Sequence, residues 1–169
     1  RRPGHLDAGR TLEPENGRYI GLAELSIRDK FTVKAVAVIN TELPDGQEGY
    51  SFLLLITAEF KPIQLGFGFT LEGVGGLIGI HRSMNLEAIR EKVKGDTFDQ
   101  VLFPEDPINN INSIISSLDS IFPIQEGQYS FGIMGKIGWG APKQIDIKAG
   151  LIFQVPKFKM AIIGTAKSE

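Results

Sequence analysis

From Ile63 to Ile80 the chain reads IQLGFGFTLEGVGGLIGI. Ile63, Leu65, Phe67, Phe69 and Leu71 alternate there with Gln64, Gly66, Gly68, Thr70 and Glu72. A period of two sends every large apolar side chain to one face of a β-strand and leaves the other face nearly bare. Gly73, Gly75 and Gly76 then permit a bulge or a sharp bend, because glycine carries no Cβ to restrict the backbone.

The same one-sided design recurs along the chain. Arg18–Ile27 places Tyr19, Gly21, Ala23, Leu25 and Ile27 on one face, and Phe31–Asn40 places Phe31, Val33, Ala35, Ala37 and Ile39. Arg28-Asp29 suits a two-residue hairpin between them, and Pro44-Asp45-Gly46 is a turn signal before the next strand. In Tyr50–Phe60, Phe52, Leu54, Ile56, Ala58 and Phe60 share a face, while Leu53 and Leu55 make the other face apolar too. That strand is expected to be covered on both sides, with Lys61-Pro62 turning the chain into the next. After residue 126 the alternation returns in Tyr129–Trp139, in Ile145–Val155 and, beyond Pro156, in Lys157–Ala166.

Between these two groups the period changes. Leu86, Ile89 and Val93 are spaced for a helix, with Asn85 as N-cap and Gly95 as its stop. Asp106-Pro107 has the form of a cap followed by a first-turn proline, opening a helix to Phe122 with Ile108, Ile111, Ile115 and Leu118 along one stripe. The reading is an α+β fold: a mainly antiparallel curved sheet of about seven strands, with two helices inserted between strands four and five. Residues 1–16, with Pro3, Gly4, Gly9 and Pro14, read as a flexible leader, and 17–169 as a single domain. The apolar strand faces are expected to pack on the helices, burying Phe67, Phe69, Ile133, Ile147 and Leu151.

Composition narrows the function by exclusion. A formal charge of -2 argues against a nucleic-acid binder, which needs a basic stripe. The absence of cysteine removes disulfides and thiolate chemistry. No apolar run reaches the length of a transmembrane helix. The compartment stays unassigned, and no cofactor is implied.

Candidate chemistry is sparse. Gly73 to Gly79 lacks the lysine and the helix of a phosphate-binding loop. His81 lacks a nucleophile on a tight turn, and Asp96, Asp99, Glu105 and Asp106 do not follow the spacing of a calcium loop. Glu24, Glu59 and Glu72 are dispersed over separate strands. What remains is the apolar face itself. Phe67, Phe69, Phe131, Ile133 and Trp139 are the candidate ligand-binding residues, should the sheet leave a groove open. The final strand, with Ala161 and Ile163 on its second face, is expected to be covered by strand one, by a second copy or by further sequence.

The run GFGFTLEGVGGLIGIHR, Gly66 to Arg82, resembles a segment of a family of very long, uncharacterised, β-rich bacterial proteins carrying a domain of unknown function. FGIMGKIGWG, Phe131 to Gly140, is a looser match. The resemblance implies a piece of a larger protein and assigns no catalytic residue. The one-sided strands are also similar in pattern to groove-shaped lipid-transfer proteins. The expectation is a non-enzymatic structural or interaction module, with a protein partner or self-association through edge strands. The alternative is a carrier of a lipid-like ligand on the apolar sheet face.

Overall fold

The computed structural model describes residues 5–8, 12–15, 17–28, 30–95 and 98–168. It is an α+β fold built on one open antiparallel sheet. Seven long strands follow one another across it: β3 (Arg18–Ile27), β4 (Phe31–Glu42), β5 (Glu48–Gly66), β6 (Phe69–Arg82), β7 (Ile124–Trp139), β8 (Ile145–Val155) and β9 (Lys159–Ser168). Two short strands, β1 (His5–Ala8) and β2 (Leu12–Glu15), lie within the stretch read as a leader and both pair with β3. Helices α1 (Leu86–Lys94), α2 (Asp99–Leu102) and α3 (Ile111–Ile121) are inserted between β6 and β7, the fourth and fifth of the long strands.

Local chemistry explains most boundaries. The Asn85 side chain accepts from the Ala88 amide and the Gly95 amide returns to Glu91 and Val93, so α1 starts and stops where its capping residues lie. At Leu43–Gly46 the Gly46 amide closes the turn on the Leu43 carbonyl, with φ +82° at the glycine. The β3–β4 link holds three residues, 28–30, since Ile27 pairs with Phe31.

Two expected boundaries move. The strand Tyr50–Phe60 does not end at Lys61-Pro62, because β5 continues to Gly66. Pro62 sits where the β5–β6 register slips between Glu59 and Ile63, a place where a missing amide costs no regular ladder bond. The reversal falls instead inside the expected single strand Ile63–Ile80, at Phe67-Gly68. Gly66 and Gly68 take φ +100° and +84° there, values that glycine adopts freely. Helix α3 starts at Ile111, not at Pro107; residues 107–109 form a turn, and the Asp106 carboxylate accepts from the Asn109 amide nitrogen.

The core lies on the opposite face from the one expected. Leu22, Val36, Val38, Leu53, Leu55, Leu77, Met134, Ile152 and Ile163 point to one side of the sheet and are buried. Ile89, Leu102, Ile115, Leu118 and Phe122 of the helical insertion close over them. The face richest in large apolar residues is left uncovered. Phe67 is 96% exposed, Ile133 64% and Phe69 38%, while Ile147 and Leu151 are only partly buried by their sheet neighbours. The helices cover the face that also carries Ser51, Thr57, Lys136 and Gln154, where Arg82 of β6 bonds Asp119 and the Phe122 carbonyl of the helical layer.

Candidate interaction surface

The uncovered face is built from strand register. One row runs from Ala23 through Ala35, Ile56, Gly76, Ile133 and Leu151 to Ile162. The rows on either side begin at Gly21 and Leu25 and end at Met160 and Gly164. Neither these rows nor the Tyr19–Val155 row holds an Asp, Glu, Lys or Arg. With strands about 4.8 Å apart and same-face residues about 6.8 Å apart along each, the face spans roughly 900 Å² in plan.

The face has relief. Above Gly21, Gly135 and Gly164 there is open space, and a Cβ at Gly76 would meet only the Gly132 carbonyl at 3.8 Å. Leu54, Ile56, Ile78, Phe131, Ile133 and Phe153 stand around Gly76 and shape a shallow furrow of about 400 Å³. Phe131 and Phe153 pack ring to ring at 5.4 Å across β7 and β8. Register brings Phe131 and Ile133 into this furrow with Leu54, Ile78 and Phe153, which the sequence reading did not single out. The alternation within their strands was visible, but the alignment between strands was not.

Phe67, Phe69 and Trp139 lie away from the furrow, at the β5–β6 hairpin tip. Phe67 takes φ +55° at the turn, and the Trp139 indole donates to its carbonyl oxygen at 3.1 Å. Phe69 and Trp139 are register partners, with ring centroids 6.4 Å apart. Phe69, Phe131, Ile133 and Trp139 therefore share a face and Phe67 lies on the turn beside it, in two clusters, one at the furrow and one at the tip.

The other candidates are absorbed by structural contacts. His81 Nδ1 donates to the Tyr50 carbonyl at 2.8 Å, and its ring lies between Tyr50 and Tyr129. Gly73 to Gly79 stays in β6, with a register shift between Leu71 and Gly73 where the glycines predicted a bulge. Glu59 is held by Lys34 and Lys136, and Glu72 by Lys143 and Thr70. Burial pushes the Lys136 ammonium down, but the hydrogen bond and charge of Glu59, with Asp146, overcome this and hold it above lysine's ordinary value. Of the acidic loop, Asp96 and the Asp99 side chain fall outside the described residues, and Glu105 and Asp106 are exposed. Among the described residues, no group of three or more His, Asp and Glu is arranged to hold a metal.

A fully buried charge fastens the helical layer. Arg82, with no exposed surface, donates through Nη1 to Asp119 and to the Phe122 carbonyl, each at 2.9 Å, and Arg18 pairs with the same carboxylate. Burial lowers the Arg82 guanidinium from its ordinary value, opposed by the hydrogen bond and charge of Asp119. The triad ties β3, β6 and α3 together on the covered side, away from the open face.

No helix of the described residues is long and apolar enough to cross a membrane. Over residues 2–169 the chain matches a family of unknown function (DUF6603), and it belongs to that family. No curated protein and no solved structure matches it.

Proposed function

We propose that this member of the family is a non-enzymatic interaction module that works through its open sheet face, pressed in use against a second apolar protein layer. The observation that carries the reading is the face itself: roughly 900 Å² in plan without a charged side chain, where the largest apolar patch on a typical monomer is about 300–600 Å². It is comparable to the ~800 Å² that each partner contributes to a standard interface. Its relief supports a solid partner. Ile133 and Ile162 project beside the hollows at Gly135 and Gly164, and Ile56 beside Gly76, the form that interdigitates when two sheets stack about 10 Å apart.

A second reading has its own observation. The furrow over Gly76 is apolar along its length and suits an acyl chain or another lipid-like ligand. The experiment that separates the two uses the purified chain and an Ile56→Lys, Ile133→Lys variant. The protein-layer reading expects the parent to bind a hydrophobic dye and to self-associate at high concentration, the variant to lose both with its melting temperature kept, and solvent extracts to contain no stoichiometric lipid. Stoichiometric lipid in mass spectra, lost on substituting Gly76 with valine, reverses the ranking. A parent chain that binds neither dye nor lipid and stays monomeric overturns both.

A further inference from the structure

We infer that the layer pressed against the open face is a second copy of this chain, stacked face to face about a two-fold axis that runs along β6. The inference rests on the reading above, that the face meets a protein layer, and it names that layer. Among the seven long strands β6 is the middle one, with β3, β4 and β5 on one side and β7, β8 and β9 on the other. An axis along it sets β3 over the partner's β9, β4 over its β8 and β5 over its β7.

Size across the face selects this arrangement. In the row through Leu54, β3 and β4 contribute Gly21 and Ala37, whereas β8 and β9 contribute Phe153 and Met160. The row through Ile56 has the same slope, from Ala23 and Ala35 to Leu151 and Ile162. In the row through Ala58 the slope reverses, from Leu25 and Val33 to Ala149 and Gly164. The axis along β6 therefore lays small over large at both sides of all three rows. A two-fold interface needs such self-complementarity, because every contact in it occurs twice. The axis passes over Gly76, whose hollow leaves room for the Ile56 and Ile133 side chains that meet on either side of it.

An axis across the strands fails the same comparison. It would set Leu151 and Ile162 each over its own counterpart, large on large, and Ala23 and Ala35 over theirs, small on small. The rows hold no Asp, Glu, Lys or Arg, so a copy of the face meets no like charge within them. Aligned stacking of twisted sheets turns the copies by about 30°, which slides partners along their strands without exchanging the two halves of the face. With roughly 900 Å² in plan from each copy, the pair falls within the ~1,200–2,000 Å² that stable interfaces bury.

The chain has no cysteine, so Ala23→Cys and Ile162→Cys proteins carry one thiol each. They are treated with a short bis-maleimide, separately and mixed, over a range of concentrations. The expected conjugate forms in the mixture and with neither protein alone, since two Ala23 positions would lie six strand spacings, about 29 Å, apart. It is lost when both proteins also carry Ile56→Lys and Ile133→Lys. A size exchange gives a second readout by sedimentation: Ala35→Phe should weaken self-association about tenfold, and Leu151→Ala added to it should restore the parent's value. An Ile162→Cys protein that links to itself, or a mixture that links no more than its denatured control, overturns the inference. If the parent then still binds the hydrophobic dye and the double-lysine variant does not, the open face takes a layer from another protein, and only the two-fold pairing falls. A parent that binds no dye and forms no conjugate overturns both.

Discussion

At the scale of single residues, exposure and hydrophobicity have come apart. Leu53 and Ile133 are both aliphatic members of alternating strands, yet Leu53 is 1% exposed and Ile133 64%. Truncating Leu53 to alanine empties space between sheet and helices and should cost about 2–5 kcal/mol. Truncating Ile133 to alanine removes surface already in water and should stay within about 0.5 kcal/mol. Urea titrations of the two variants check the assignment of faces, and equal losses would contradict it. Phe69, expected to be a core residue, belongs with Ile133 in this respect, since its ring packs on Trp139 at the surface.

At the scale of elements, β6 carries two adjacent glycines with opposite duties. A Cβ at Gly75 would lie 3.0 Å from the Met134 methyl and 3.2 Å from the Ile56 carbonyl, on the covered side. At Gly76 the space is open. Gly75→Val should therefore overpack the core and destabilise by about 1–3 kcal/mol. Gly76→Val should leave stability level or raise it, because a β-branched residue favours the strand and has room. Thermal melts of both variants distinguish them, and matching losses would mean that the furrow is not open.

At the scale of the whole molecule, stability should fall from the centre of the sheet to its two edges. Strands β5, β6 and β7 have neighbours on both sides and the helices above them, whereas among the described residues β9 and the β1–β2 edge are paired on one side. Native-state hydrogen exchange should find the slowest amides in β5–β7 and the fastest in β1 and β2. Uniform protection across the sheet would mean that the edges are closed by contacts other than those described.

The sequence by itself determined the elements that short-range chemistry controls. The period of two marked the long strands, Asn85 and Gly95 bounded α1, and Ile111, Ile115 and Leu118 marked the buried stripe of α3. It also showed that one strand face is almost purely apolar, with Phe131 and Ile133 on it. Three matters were decided only in three dimensions. The hairpin at Phe67-Gly68 was hidden because alternation continues unbroken through the turn. The furrow depended on cross-strand register, which sets Leu54, Ile78, Phe131 and Phe153 in one row although they are distant in sequence. The choice of face depended on where the inserted helices could dock. Both faces of β5 are apolar, so its own pattern is indifferent, and the docking of α3 through Arg82 and Asp119 committed the core to the side of Leu53. Hydrophobic patterning states that a face must be covered; only non-local packing determines what covers it.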